Sequence, residues 1–397
     1  MSSSDISKEP HIAVGMMVKN EKKRLHVTLN SIKEIADSLI LYDTGSEDNT
    51  IEIARTFCTK HNIPFRLKTG TFVDFATSRN VLLDFADSFT DVDYILLLDT
   101  NDELQGWEKL RLYCREFLNK PNTGFLLCQQ WLAGGSITKY FNVRMVKARE
   151  KWSYKGKVHE YISSDKYPSE KIAHQHGDVV IQIDDGVVLF QDRNQDDDKT
   201  GKRFTRDKEL LLEAYHENPS EPRTLFYLAQ TCSCLNQHQE SYYYYKLRTL
   251  VDGFWEEKFH ALMSCGNLSV KFGHPWEVSM GWYLKAYETF SRAEPLIKIA
   301  YHYKDKNWLL CFTFADLACK LDYPECILFV DKIVYDYSRW QLLGLAGWYS
   351  KNYERGKIGC LNALKSEHSQ ELDRQNLMYY LKREKEIQTE NNQKNKQ

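Results

Sequence analysis

The sequence predicts an α/β domain built on a mostly parallel, doubly wound sheet, followed by an all-helical domain. Strand, helix, strand, helix and strand patterns follow one another within about 90 residues, which is typical of βαβ units. From residue 203 onward the patterns are helical and recur at a spacing of roughly 35–40 residues, as in helix-turn-helix repeats. A length of 397 residues suits two or three domains.

The first domain is predicted from its apolar runs. Strands are expected at 11–18, 38–42, 65–67 and 94–98, and helices at the amphipathic segments that begin near Leu25, Glu47 and Ser78. After a helix at 107–119, polar and apolar residues alternate in four further strand-like runs, at 123–130, 140–146, 158–162 and 179–183. This alternation predicts a partly antiparallel extension of the sheet.

Domain boundaries are predicted from composition. Residues 1–10 and 384–397 are polar and are expected to be disordered. The charged run 192–201 lacks apolar residues, so it is the predicted boundary between an α/β domain at 11–200 and a helical-repeat domain at 201–383. The repeat units are expected at 225–247, 262–286, 296–321 and 342–364.

Composition excludes several classes of protein. The net charge is −2 with acids and bases interspersed, which gives no indication of a nucleic-acid-binding surface. The first residues lack the basic and apolar regions of a signal peptide, and no stretch has the roughly 20 apolar residues of a membrane span. Ten scattered cysteines fit free thiols in a reducing compartment. We therefore expect a soluble, cytoplasmic protein without a membrane span.

An acidic segment follows the most apolar predicted strand. The run 94–98 ends directly in Asp99-Thr100-Asn101-Asp102-Glu103. Burying a carboxylate is costly unless it is paired or bound to a metal, and ligands of open α/β sheets lie at the carboxyl ends of strands. One interpretation is a divalent cation carrying a phosphate. The other is a turn and a helix N-terminus, where Asp, Thr and Asn are favoured. GxGxxG and P-loop motifs are absent.

Several motifs together resemble glycosyltransferase family 2, in the branch that has a GT-A catalytic domain followed by tetratricopeptide-like (TPR-like) repeats. The resemblance spans residues 11 to about 250. It is carried by Val18-Lys19-Asn20-Glu21, Asp43-Thr44-Gly45-Ser46-Glu47-Asp48-Asn49-Thr50, Asp74-Phe75 with Arg79-Asn80, and Leu98-Asp99-Thr100-Asn101-Asp102. Further matching positions are Arg144, Trp152, Gly156, Val158-His159-Glu160 and His176-Gly177.

The resemblance implies a nucleotide-sugar site, with a UDP-sugar as the expected donor. Asp43 would accept a hydrogen bond from the base, or would simply cap the following turn. Val18 and Asn20 would line the base and ribose pocket, and Glu21 would bind the ribose or cap the next helix. Arg79 would neutralise the diphosphate, as guanidinium groups do well; the alternative is a surface arginine paired with a nearby Asp.

The same resemblance implies a Mn²⁺ or Mg²⁺ site. Asp99-Thr100-Asn101 stands where the family has Asp-x-Asp, so Asp99 and Asn101 are the expected ligands. The uncharged Asn101 should bind the cation more weakly. Three outcomes are open: a weaker site, a site completed by Asp102, or a domain without activity; we expect an active enzyme. His174 and His176 are further candidate contacts to the metal or the phosphates.

An inverting transfer needs a base that takes the proton of the acceptor. Between residues 117 and 164 the acids are Glu150, in a charged run, and Glu160, at the end of an apolar stretch where burial would tune its pKa. We predict Glu160 as the base, with His159 either orienting it or completing the metal site; a surface turn is the alternative. The expected acceptor is a protein or glycan, and the repeats could also form a homodimer. The alternative function is a non-catalytic repeat scaffold with a degenerate transferase domain.

Overall fold

The computed structural model describes residues 9–133, 136–164, 179–184, 186–193, 200–326 and 328–394. His174, His176 and most of the charged run 192–201 lie outside these residues. The chain forms two compact units, Met1–Pro219 and Ser220–Gln397. Each unit has its own hydrophobic core.

Among the described residues, nine strands of the first unit form one mixed sheet and two more form a small separate sheet. The strands of the large sheet are β1 Ile12–Val18, β2 Ser38–Asp43, β3 Phe65–Thr69, β4 Tyr94–Leu98, β5 Glu103–Gln105, β6 Gly124–Ala133, β7 Ser136–Lys147, β10 Val180–Gln182 and β11 Val188–Asp192. The small sheet pairs β8 Ser153–Lys155 with β9 Tyr161–Ser163. The helices are α1 Leu25–Ile32, α2 Thr50–His61, α3 Phe75–Asp87, α4 Trp107–Phe117 and α5 Thr200–Glu217.

The first half of the sheet is parallel, in the order β3-β2-β1-β4. Val18 lies opposite Asp43, and Met16 lies opposite Leu98. The carboxyl ends of β1, β2 and β4 therefore share one edge, which confirms the predicted parallel sheet and brings the acids that follow two of these strands to the same side.

Both faces of these strands are buried, because each packs against helices. In β1, Ile12, Val14 and Met16 belong to the core layer that also contains residues of α1, α2 and α4. Ala13 faces the opposite layer, together with Leu82 and other residues of α3. This arrangement explains why the strands are continuous apolar runs.

The second half of the sheet contains the predicted antiparallel extension. β7 pairs antiparallel with both β4 and β6, and β11 runs parallel to β6. Two local expectations are corrected. The predicted strand at 158–162 is a turn up to residue 160, with β9 after it. Asp192, which the sequence places in the linker, is the last residue of β11.

The second unit is a succession of antiparallel helices. They are α6 Pro222–Cys234, α7 His238–Leu250, α8 Trp255–Lys271, α9 Trp276–Thr289, α10 Ala293–Tyr303, α11 Trp308–Cys319, α12 Arg339–Tyr349, α13 Tyr353–Ala363 and α14 Glu371–Lys394. Each of these helices packs against its neighbours in sequence, with a π-helical turn, Val334–Ser338, before α12. The four predicted repeat units correspond to α6–α7, α8–α9, α10–α11 and α12–α13, so the TPR-like architecture is confirmed.

Two predicted boundaries differ from the structure. The compact units divide at Pro219, because α5 belongs to the first unit, where Lys157 Nζ contacts Glu217 Oε1 at 2.7 Å. The segment 384–397, predicted to be disordered, is helical through Lys394. The helix is supported there by Lys357 Nζ of α13, which donates to Glu384 Oε2 at 2.7 Å. No helix among the described residues is both long and apolar enough to cross a bilayer.

Candidate donor-binding and active site

The carboxylate of Asp43 is held in a fixed orientation at the end of β2. Its Oδ1 accepts hydrogen bonds from the backbone N–H groups of Gly45 (2.9 Å) and Ser46 (2.8 Å). The chain turns at Gly45 with φ +102°, a conformation that glycine adopts without strain. Asp43 is 2% exposed, and no group among the described residues donates to its Oδ2. One buried acceptor oxygen is therefore left for a ligand, because such an atom is costly without a partner.

The loop after β1 is tied to the loop after β2. The carbonyl oxygen of Val18 accepts from Thr44 N (3.0 Å) and Thr44 Oγ1 (3.1 Å). Asn20, at φ +56°, accepts at its Oδ1 from Glu47 N at 2.8 Å. The backbone N–H of Glu21 donates to Thr50 Oγ1 at 2.7 Å, and its carbonyl oxygen accepts from the backbone N–H groups of Arg24 and Leu25 at the start of α1. The structure brings these predicted residues to one edge beside Asp43, and their contacts to base and ribose stay predictions.

Arg79 joins two of the predicted acids. It lies on α3 and is 7% exposed. Its Nη2 donates to Asp99 Oδ1 at 2.6 Å, and its Nε donates to Glu160 Oε1 at 2.7 Å. Asp74 fixes the start of α3, because its carboxylate accepts from Thr77 N at 2.7 Å. Arg79, the predicted diphosphate ligand, therefore contacts both the predicted metal ligand Asp99 and the predicted base Glu160.

A second buried arginine, Arg144 of β7, holds the other side of the acidic segment. Its Nη2 donates to Asp99 Oδ2 at 3.0 Å and to Asp102 Oδ2 at 2.5 Å. Asp102 is 0% exposed, and its carboxylate also accepts from Asp99 N (2.8 Å) and from Gln191 Nε2 (2.6 Å). The Asp99 side chain, by contrast, remains 36% exposed. Asp99 therefore faces the open side of the site, whereas Asp102 lies beneath it.

Burial and charge act in opposite directions on these groups. Burial would raise the pKa of Asp99, but Arg79 and Arg144 hold it well below its ordinary value. Burial would lower the pKa of Arg79, but Asp99 and Glu160 raise it well above the usual range. Burial raises the pKa of Asp102 above its ordinary value, and Arg144 opposes that shift. Asp99 is thus a carboxylate throughout the physiological pH range.

The residues predicted as metal ligands do not form a complete protein-borne set. Among the described residues, no three His, Cys, Asp or Glu side chains come together as metal ligands. Of the predicted oxygen ligands, Asp99 and the half-buried Asn101 are accessible to solvent, whereas Asp102 is buried. This small set fits Mg²⁺ or Mn²⁺ if substrate phosphates complete the coordination, since Mg²⁺ is usually held by one or two carboxylates plus phosphate oxygens.

Glu160 and His159 lie in a tight turn that precedes β9. His159 has φ +52° and is exposed, whereas the Glu160 side chain is 15% exposed. The turn is anchored to α3 by Phe75 N, which donates to the carbonyl oxygen of Lys157 at 3.2 Å. A positive φ at a non-glycine residue is uncommon and is often found at functional sites. The turn directs Glu160 toward Arg79; the role of His159 stays a prediction.

Tyr154, Gln191 and Arg193 were not assigned to this cluster from the sequence. Asn80 brackets the backbone of Tyr154, accepting from its N at 2.6 Å and donating to its carbonyl oxygen at 2.9 Å. The Tyr154 ring lies 5.4 Å from the Arg79 guanidinium carbon. Gln191 and Arg193 lie behind Asp102. The available signal for Gln191 was a polar residue two positions after the buried Leu189, on the same face of a strand.

Comparison with known proteins finds a family match within the first unit. Residues 13–168 match the family described as Glycosyl transferase family 2. The SPbeta prophage-derived glycosyltransferase SunS of Bacillus subtilis (strain 168) is 23% identical over 250 residues, which cover 60% of this chain and 53% of that protein. The chain spans about half the length of the curated relatives that it matches first.

Two further similar proteins are described as TPR repeat-containing proteins. A TPR repeat-containing protein of Synechococcus elongatus is 29% identical over 154 residues, covering 38% of this chain and 35% of that protein. The C-terminal part of a TPR repeat-containing protein from Cytophaga hutchinsonii has a TM-score of 0.32 at 16% identity, covering 43% of this chain and 62% of that one. The expected GT-A α/β domain with helical repeats after it agrees with the structure described above. The first unit thus contains a segment, residues 13–168, that matches glycosyl transferase family 2, and TPR-like helical repeats follow it in the chain.

Proposed function

We propose that the protein is an inverting glycosyltransferase that moves a sugar from a UDP-sugar to a protein or glycan acceptor. The observation that carries the proposal is the convergence of Asp43, Arg79, Asp99 and Glu160 at the carboxyl edge of the family 2 domain. Asp43 offers one buried oxygen without a partner, and Arg79 bridges Asp99 and Glu160. Base recognition, charge neutralisation and proton removal each have a group at this edge.

The donor would bind with its base at Asp43 and its diphosphate near Arg79 and Asp99. The free Oδ2 of Asp43 suits the imide N–H of uracil, because a buried carboxylate oxygen is a strong acceptor. Val18 and Asn20 lie at the adjoining strand end and would line the nucleoside. The position of Arg79 suits stabilisation of the charge that develops on the leaving diphosphate.

A divalent cation, Mn²⁺ or Mg²⁺, is part of the proposal, held by Asp99 and Asn101 with the diphosphate. The cluster contains three carboxylates, of Asp99, Asp102 and Glu160, but two guanidiniums. A diphosphate would therefore approach a site with an excess of negative charge. When bound, the cation would supply the Lewis-acid stabilisation of the leaving group.

Glu160 is the proposed base. Its carboxylate is largely buried and accepts a hydrogen bond from Arg79, so the proposed base lies directly beside the proposed diphosphate ligand. The acceptor hydroxyl, or another nucleophile, would lose its proton to Glu160 while it attacks the anomeric carbon from the face opposite the diphosphate. That attack inverts the configuration. The helical repeats would bind the acceptor or a second copy of the chain.

The second candidate function is a repeat scaffold whose transferase domain binds no donor. The uncharged Asn101 and the incomplete metal set favour it. The two candidate functions are distinguished by titrating UDP into the protein, with and without Mn²⁺, and measuring the midpoint of thermal unfolding at each UDP concentration. The proposal expects a midpoint that rises with UDP and rises further with Mn²⁺, because a ligand that binds the folded state stabilises it. An unchanged midpoint, together with no UDP release from any UDP-sugar, would exclude the enzyme.

A further inference from the structure

The acidic segment contains a carboxylate whose contacts differ from those of a metal ligand. We propose that Asp102 is a positioning residue, and that it forms with Gln191 and Arg193 a buried relay that orients Arg144 and Asp99 for the donor diphosphate. The inference rests on the proposed function and deepens it, because it assigns Asp102 a role other than completing the cation site.

Both carboxylate oxygens of Asp102 accept hydrogen bonds from buried protein groups, and the side chain does not reach the open side of the site. Oδ2 accepts from Asp99 N at 2.8 Å and from Arg144 Nη2 at 2.5 Å, and Oδ1 accepts from Gln191 Nε2 at 2.6 Å. The residue is 0% exposed. A cation at Asp102 Oδ2 would compete with the buried guanidinium of Arg144, and breaking a buried ion pair is strongly destabilising.

The orientation of Gln191 is set from behind. Its Oε1 accepts from Arg193 Nε at 3.1 Å and from Arg193 Nη2 at 2.9 Å, so its amide N–H group has to point toward Asp102. The guanidinium of Arg193 lies 3.4 Å from the centre of the Trp131 ring, a stacking arrangement that restrains it. The hydrogen bonds therefore run in a fixed direction: Arg193 donates to Gln191, and Gln191 donates to Asp102.

The relay ends on the open face of the site. Asp102 holds Arg144 where its Nη2 also donates to Asp99 Oδ2 at 3.0 Å, and it fixes the backbone N–H of Asp99. Without the Asp102 carboxylate, Arg144 Nη2 and the backbone N–H of Asp99 would each lose an acceptor, and the position of Asp99 beside Arg79 would no longer be fixed from beneath. Asp102 thus acts through Arg144 and Asp99, whereas Asp99 itself faces the ligand.

Moving the carboxylate along the relay tests this directly. Asp102→Asn places an amide N–H group against the amide N–H group of Gln191. The double variant Asp102→Asn with Gln191→Glu, called the swap below, restores a donor that faces an acceptor and leaves Arg193 paired with a carboxylate. Gln191→Glu alone would place two buried carboxylates together. For the four proteins we would measure the midpoint of thermal unfolding, UDP affinity without metal by calorimetry, and Mn²⁺ affinity at saturating UDP by electron paramagnetic resonance. Asp99→Asn is the comparison variant.

The expected pattern is loss in both single variants and recovery in the swap. UDP affinity should fall about tenfold or more in Asp102→Asn and return to within about threefold of wild type in the swap, because the hydrogen-bond pattern is restored. Mn²⁺ affinity should stay within about twofold of wild type in the swap but fall about tenfold in Asp99→Asn, which loses a charged ligand.

Two results would overturn the inference. One is a swap whose midpoint and UDP affinity are no better than those of Asp102→Asn; the other is an Mn²⁺ affinity that falls in the swap as far as in Asp99→Asn. If Asp102→Asn does not fold, a folded swap supports the relay and an unfolded swap overturns it. If the wild-type protein binds no UDP, the proposed function fails, and the midpoints of the four proteins still decide whether the relay exists.

Discussion

Replacing Glu160 by Gln removes the charge of the proposed base but keeps an oxygen that can accept the hydrogen bond from Arg79 Nε, now 2.7 Å from Glu160 Oε1. The side chains have the same size, so the turn before β9 should keep its shape. Removal of the acceptor altogether would leave a buried guanidinium short of a partner, at a cost of about 3–5 kcal/mol. With Gln in place, we expect the free energy of unfolding to fall by less than about 2 kcal/mol.

Transfer should fall far more than stability. A positioned general base contributes about 10²–10⁴-fold, which corresponds to about 3–5 kcal/mol of activation free energy. UDP binding does not involve proton removal, so the affinity for UDP should stay within about threefold of wild type, a change of less than about 1 kcal/mol. The assay is UDP release under single-turnover conditions, beside a calorimetric UDP titration.

Glu150→Gln is the matched control, because Glu150 is the other acid between residues 117 and 164 and lies in the turn after β7. It should leave the rate of UDP release unchanged. The reasoning is refuted if Glu160→Gln releases UDP at the wild-type rate. Loss of UDP binding in that variant would instead assign Glu160 to donor or metal binding.

Three other expectations concern single sites. Asp43→Asn should keep the two N–H contacts of Oδ1 but place an amide N–H group at the position of Oδ2, which is proposed to face the base. UDP affinity should therefore fall about 10–100-fold, with a nearly unchanged midpoint of thermal unfolding. An unchanged affinity would exclude Asp43 from base recognition. Burial lowers the pKa of His260 to about 4, so the unfolded state binds more protons at acidic pH. Between about pH 7 and pH 5 wild type should lose about 2 kcal/mol that His260→Asn does not lose, as measured by urea unfolding. Finally, a Cβ at Gly266 would lie 2.5 Å from the Tyr283 ring, whereas a Cβ at Gly281 would meet nothing within 4 Å. Gly266→Ala should therefore lower the free energy of unfolding by about 1–3 kcal/mol, and Gly281→Ala should raise it by about 0.5–1 kcal/mol. Equal thermal midpoints for the two variants would contradict the helix packing.

The parallel half of the sheet, and the edge at which the candidate site lies, could be predicted from the sequence. Continuous apolar runs that end in Asp43 and Asp99 identify strands buried on both faces, and the βαβ connection brings their carboxyl ends together. The helix pairs were predicted for a similar reason, because small and aromatic residues recur at a fixed spacing. These are local signals, each contained in about 40 residues.

The rest depends on contacts between distant segments. Gln191 lies 89 positions from Asp102, and its strand is followed by a charged run that resembles a linker. Arg144 matched the family pattern, but its pairing with Asp102 follows from the antiparallel contact of β7 with β4. The difference between an exposed Asp99 and a buried Asp102, three residues apart, arises from the turn between them and has no sequence signature.

Release of UDP from a panel of UDP-sugars tests the central claim most directly, since it requires donor binding and bond cleavage together. The wild-type protein should release UDP from at least one donor, faster with Mn²⁺ than without, and Glu160→Gln should release it about 10²–10⁴-fold more slowly. Equal release by both proteins would contradict the role of Glu160. No release from any donor, with no binding of UDP in the presence of Mn²⁺, would contradict the proposed glycosyltransferase activity itself.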